Sequence, residues 1–206
     1  MTTTEIADAR LRLLVDQLDA AWEMLDARLT GRKPFTGEAG GGETNLTDEE
    51  YFWEPVPGCW SLRRRGQART SRVTGKGEWV LEWEWPEPTP PPVTTIAWRM
   101  CHLAQWQLMR YDYTFGSHAL AIEDIAWPAT ARDAVAFLRG SFTQWRTAVA
   151  GMTAEDLDQV GRSQMPYGLD PKVPFDSLLA WTNAEFTHRA AEIGCLRDLY
   201  RARMTR

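Results

Sequence analysis

Residues 175–200 read FDSLLAWTNAEFTHRAAEIGCLRDLY, and this stretch constrains the fold more than any other. An α-helix advances about 100° per residue, so positions three and four apart share a face. On that wheel Phe175, Leu178, Thr182, Phe186, Arg189, Ile193, Leu196 and Tyr200 form one narrow stripe. All but the arginine suit a core. Glu185 borders the stripe one turn before Arg189, with acid preceding base at i,i+4, and His188 points about 100° away from the stripe centre. Charges are costly to bury unless paired, so the spacing predicts either a Glu185–Arg189 ion pair or a ligand that uses both groups.

Three further stretches carry helical stripes. Leu11, Leu14, Val15, Leu18, Trp22, Leu25 and Leu29 predict a helix over residues 4–29. Residues 94–115 are apolar over most of their circumference, with Thr94 or Thr95 as N-cap, and predict a central helix. Its face with Trp98, Trp106, Met109 and Tyr113 also carries His102, readable as a satisfied core histidine or as a ligand. Val135, Leu138, Phe142, Trp145 and Val149 predict a helix over residues 129–150, stopped by Gly151. A linker over 152–174, with a short Thr-Ala-Glu-Asp turn, leads to the last helix. The whole chain, 1–206, reads as a single all-α domain, a four-helix bundle, with no internal repeat.

A long irregular crossover joins the first two helices. The glycines of residues 37–42 predict a mobile loop. Thr47 is placed to cap a short helical turn, with Glu50 in the capping-box position. EPVPGCWSLRRR is irregular and carries Trp60, and Arg63, Arg64, Arg65, Arg69, Arg72 and Lys76 follow closely. That basic run is either an anion site or a solvated loop. EWVLEWEW alternates, which predicts one arm of a small β-hairpin paired with the stretch around Thr70 to Val73.

The net charge of −5 with no long one-sign block argues against nucleic acid as the main partner. Cys59, Cys101 and Cys195 are far apart and form neither a CxxC pair nor a zinc spacing, which favours a reducing cytoplasm. No apolar run approaches the ~20 residues of a membrane span. Eleven tryptophans imply an aromatic-lined pocket or a tryptophan-rich core.

LTDEEYFWEPVPGCWSLR, PPVTTIAWRMCHLAQW and NAEFTHRAAEIGCLRDLYR together resemble the DinB/YfiT-like superfamily, in its actinobacterial branch. The resemblance covers nearly the whole chain and implies a four-helix bundle. It also implies a divalent metal, zinc or nickel, on three histidines, one from the second helix and two from the fourth at i and i+4. The implied activities are transfer of a low-molecular-weight thiol or thiol-dependent isomerisation, such as that of maleylpyruvate, and the implied assembly is a homodimer. Carried onto this chain, the second-helix ligand falls on His102 and the fourth-helix pair on Glu185 and Arg189. The branch pattern has a tandem His-His whose second member faces the metal, and here that tandem is His188-Arg189. Arginine does not ligate metals at ordinary pH. A set of His102, Glu185 and His188 would need the helix to rotate.

Three readings are open. One is a thiol-dependent transferase or isomerase with a metal. Another is a metal-free bundle whose pocket, around Trp60, Trp98, His102, Trp106, Trp181, Glu185 and Arg189, binds a small anionic or aromatic ligand. The third is a structural Glu185–Arg189 pair with no ligand.

Overall fold

Asp8 accepts a hydrogen bond from the Leu11 amide (2.9 Å) and starts α1 (Ala9–Thr30), which Gly31 ends in the left-handed conformation at φ 66°. The computed structural model describes residues 6–40, 44–166, 168 and 170–204. Within them the chain is mostly helical with one small sheet. The elements after α1 are α2 (Asp48–Tyr51), β1 (Leu62–Arg64), β2 (Arg72–Thr74), β3 (Trp79–Trp83), α3 (Ile96–Phe115), α4 (Ala131–Ala150), α5 (Ala154–Asp158) and α6 (Phe175–Met204). Each of the four predicted stripes became a long helix. Thr95 caps α3 by accepting from Trp98 N (3.2 Å), and Thr130 caps α4 by accepting from Asp133 N (3.2 Å).

The long helices pack in a closed order: α1 against α4 and α6, and α3 against α4 and α6. Leu11, Val15, Leu18, Leu25 and Leu29 of α1 meet Leu138, Phe142, Trp145 and Val149 of α4 in one core. Fully burying each such side chain stabilises the fold by roughly 1.5–3 kcal/mol. Contacts at both ends, Arg99 to Glu192 (2.8 Å) and Arg110 over Trp181 (4.9 Å), run α3 and α6 antiparallel.

The crossover differs from expectation in two places. The predicted hairpin is a three-stranded antiparallel sheet in the order β1-β3-β2, with Leu62 opposite Leu81 and Thr74 opposite Leu81 on the other side. The first strand was hidden in the basic run because its arginines look like loop. They are in fact engaged: Arg63 reaches Glu82 and Glu54 (both 2.8 Å), Arg69 reaches Glu54 (2.7 Å), and Arg64 reaches Glu78 (2.5 Å). Glu54 is held below its usual range chiefly by the Arg69 hydrogen bond. Half of the basic run is thus paired with carboxylates, while Arg65 donates to the Gly75 and Gly77 carbonyls.

Second, the capping box at Thr47 forms only by half. Thr47 accepts from Glu50 N (3.2 Å), but the Glu50 carboxylate turns inward to Arg197. The reciprocal box is made at α5, where Thr153 and Asp156 exchange bonds. In the stretch read as mobile, Arg32 forms an isolated antiparallel bridge with Ala39, and Gly41 and Gly42 lie outside the described residues.

The sheet is fixed to α3 by aromatic side chains. Trp98 Nε1 donates to the Glu82 carbonyl (2.8 Å), and Trp83 stacks on Trp98 at 5.6 Å. Gly75 is needed where the sheet meets the segment before α4. Its φ is +98°, and a Cβ there would lie 2.0 Å from Trp127 Nε1. Among the described residues no helix is long and apolar enough to cross a membrane.

Candidate functional site

A cavity of about 320 Å³ opens between α3 and α6 and is reached from all four long helices. Leu18 comes from α1, Trp145 from α4, Trp106 from α3, and Trp181 and Phe186 from α6. Its polar lining is His102, Gln107 and Arg110 from α3 with Asn183, Glu185 and Arg189 from α6. Residues at i, i+4 and i+8 of two antiparallel helices converge on one groove, which is why these positions share it.

His102 is buried at the Arg189 end. Trp106 Nε1, which can only donate, gives its hydrogen bond to His102 Nε2 at 2.6 Å. The imidazole proton therefore sits on Nδ1, and that N–H has no partner among the described residues. Burial, followed by the positive charges of Arg189 and then Arg99, pushes the His102 pKa down to about 3. His102 is thus a neutral donor at neutral pH, in a region of positive potential.

At the other end Arg110 lies between two indoles, 4.8 Å from Trp106 and 4.9 Å from Trp181. Asp170 holds it by two bonds, at 3.0 and 3.2 Å, and itself accepts from Ser163 (2.9 Å). Arg110 therefore has its counter-ion already, and the aromatic cage is filled from within.

Arg189 is different. It is 28% exposed, and its contacts to Glu185 (3.5 Å) and Glu192 (3.3 Å) are longer than a charge-assisted bond of about 2.7–2.9 Å. Glu192 is shared with Arg99 (2.8 Å) and His188 (3.6 Å). The buried Glu185–Arg189 pair expected from the wheel does not exist, because Glu185 is 38% exposed and both groups stand at the rim. The buried face of α6 instead passes through Asn183, Phe186, Ile193 and Arg197.

Of the pocket residues expected from sequence, His102, Trp106, Trp181, Glu185 and Arg189 line this cavity. Trp60 and Trp98 stand behind it, 6.1 Å apart in the aromatic row that ends on His102, 4.5 Å from Trp98. Arg110, Gln107 and Asn183 were not singled out. The i+8 spacing from His102 to Arg110, and the place of Asn183 one turn before Phe186 on the inner face, were the available signals.

His102, Glu185 and His188 do not converge. His188 is 61% exposed and turned to Glu192, and the Nε2 of His102 is taken by Trp106. Among the described residues no group of three or more His, Cys, Asp or Glu side chains is arranged to hold a metal. As folded, this donor set does not fit a divalent ion. Cys101, next to His102 in the chain, is buried against Tyr51, and burial pushes its pKa up to about 12.

A family model described as the DinB superfamily matches residues 17–193. This chain belongs to the DinB superfamily. That match runs from within α1 to within α6, and every residue lining the cavity, from Leu18 to Arg189, falls inside it. No curated protein and no solved structure matches the chain.

Proposed function

We propose that this DinB-superfamily chain is a four-helix bundle of the cytoplasm whose cavity binds a small organic anion with an aromatic body, without a metal. The observation that carries the reading is Arg189. It stands at the cavity rim, where the resemblance expects an imidazole ligand, and its guanidinium has donors to spare. A carboxylate entering the cavity meets that fork, with the unpartnered Nδ1–H of neutral His102 as a further donor. The indoles of Trp106, Trp145 and Trp181 cover an apolar body. Glu185 and Glu192 balance Arg189 and Arg99 at this end, so the anion is read by the open donors of the Arg189 fork and not by net charge. The buried Arg110 keeps its own carboxylate and shapes the opposite wall.

The test is calorimetric titration of metal-free protein with phenylacetate and with its neutral counterpart 2-phenylethanol. Phenylacetate is expected to bind about tenfold or more tightly, since hydrogen bonds to charged groups contribute about 1.5–3 kcal/mol. Arg189→Gln should abolish that preference, and chelator should leave it intact. The family membership supports one other reading, a metal- and thiol-dependent transferase or isomerase. Tight zinc or nickel binding by wild type, lost in His102→Ala, would favour that reading and defeat ours.

A further inference from the structure

Trp181, Glu185 and Arg189 lie at i, i+4 and i+8 on α6, so an indole, a carboxylate and a guanidinium follow one another along one line of the helix. All three line the cavity, and both charged groups reach solvent. Both are also under-used. Arg189 Nη1 donates to Glu192 (3.3 Å). The Glu185 carboxylate accepts no hydrogen bond among the described residues, and its ion-pair contact with Arg189, at 3.5 Å, is longer than a charge-assisted bond. Where this chain closes an ion pair for structure, the bonds are short and doubled, as from Arg197 to Glu50 (2.6 and 2.9 Å) and from Arg110 to Asp170 (3.0 and 3.2 Å). The rim pair is therefore two adjacent opposite charges, each with hydrogen-bonding capacity left, at the edge of an aromatic chamber.

We propose that this pair reads a zwitterion, and that the ligand is a free α-amino acid with an aromatic side chain. This rests on the anion reading above and narrows it. The ligand carboxylate takes the open donors of Arg189, its ammonium donates to the Glu185 carboxylate, and its ring meets the indoles of Trp106, Trp145 and Trp181. Glu185 and Glu192 offset Arg189 and Arg99 at this end, so the rim has room for a cationic group beside the carboxylate. Glu185 and Arg189 are one turn apart and almost in contact, which calls for opposite charges on neighbouring atoms. An α-amino acid carries both on one carbon, whereas either end of a peptide carries only one of them. The order along α6 agrees, with the charged pair on one side and Trp181 one turn before it. The cavity, about 320 Å³, is near the lower bound of about 300 Å³ for ligand pockets, which suits a single amino acid.

Calorimetric titration at neutral pH with L-phenylalanine, 3-phenylpropanoate and 3-phenylpropanol separates the two readings. The three share one ring and chain; the second lacks the ammonium, and the third lacks the ammonium and the charge of the acid. The ratio of 3-phenylpropanoate to 3-phenylpropanol affinities reads the Arg189 fork, and the ratio of phenylalanine to 3-phenylpropanoate reads Glu185. In wild type the ammonium is expected to tighten binding by about fivefold, the upper end of what a partly exposed ion pair contributes. Glu185→Gln, at a solvent-reached position where the variant is expected to fold, should reduce that gain to within about twofold and keep the acid preference. Arg189→Gln should remove the acid preference. An ammonium gain below about twofold in wild type, or one that Glu185→Gln leaves whole, overturns the zwitterion inference and leaves the anion reading to stand or fall on the acid preference. A gain lost in Glu185→Gln but without any acid preference makes the site a reader of amines, which defeats the anion reading and this inference with it. No binding by any of the three defeats both.

Discussion

Arg197 and Arg189 stand eight residues apart on α6. Arg197 is fully buried and grips Glu50 with two bonds, at 2.6 and 2.9 Å, while also donating to the Thr44 carbonyl (2.9 Å). Arg189 stands at the rim of the cavity with two loose carboxylates at 3.3 and 3.5 Å. The same guanidinium therefore does opposite work on one helix. Where it is dry, Nε and one Nη are met by the chain while the other, Nη1, has no partner among the described residues, and the group fixes the crossover onto α6. Where it is wet, the chain leaves part of the fork open.

Breaking the dry pair gives the largest effect. Arg197→Ala leaves the Glu50 carboxylate buried without its partner, and loss of one member of such a pair typically costs about 3–5 kcal/mol. The measurement is the urea midpoint, with an unchanged slope showing that the denatured state is the same. Replacing both Arg197 and Glu50 with apolar residues of similar volume should be milder than either single change. A double variant as unstable as Arg197→Ala would show that the thread to Thr44, and not the charge pair, carries the crossover.

The cavity side of the comparison responds to pH. Folded His102 titrates at about 3, while the unfolded imidazole keeps its ordinary value of 6.5. Between those values the unfolded chain binds the extra proton, so stability is present above pH 6.5 and falls as the pH drops towards 3. From pH 6.5 to pH 4 the loss is on the order of 3 kcal/mol, at about 1.4 kcal/mol per pKa unit. His102→Gln, which retains an acceptor for Trp106, should lose less over the same interval. Parallel profiles for the two proteins would mean that His102 protonates freely and that its surroundings are open to water.

The long helices were legible because burial of a helix face writes an apolar residue every three or four positions, and that record is local. Thr95, one of two candidate caps, and Gly151 could be placed for the same reason, since a cap is chosen by its nearest backbone. Arg197 was illegible. A wheel centred on apolar side chains runs from Phe186 through Arg189 and Leu196 to Tyr200, whereas the buried line runs from Asn183 through Phe186 and Ile193 to Arg197. The two differ by a fraction of a turn, and what separates them is the carboxylate of Glu50, 147 positions away. Glu50 itself was assigned to the cap three residues before it, the nearest partner its sequence offers. Strand β1 was masked likewise by arginines whose acidic partners, Glu54, Glu78 and Glu82, lie elsewhere in the chain. At the cavity, His102 drew notice as a lone histidine among aromatics and Arg189 as a charge on an apolar face. Asn183 and Gln107 look like ordinary polar helix residues until the helices they bond to are in place.

The smallest effect belongs to Arg189, and it carries the comparison further than the others. Its partners are a third exposed and its ion pairs long, so water screens much of what they contribute. Exposed pairs of this kind contribute about 0–1 kcal/mol. Arg189→Gln should therefore shift the urea midpoint by no more than about 1 kcal/mol, several times less than Arg197→Ala. Its effect should appear instead on His102. Arg189 is the largest charge acting to lower that imidazole, so the substitution should raise the His102 pKa, though burial still keeps it below its ordinary value. A titration of the His102 ring resonances by NMR in wild type and variant reads this directly. An unmoved pKa together with a loss of stability matching Arg197→Ala would place Arg189 in the structural class and leave the cavity without a fork to read an anion.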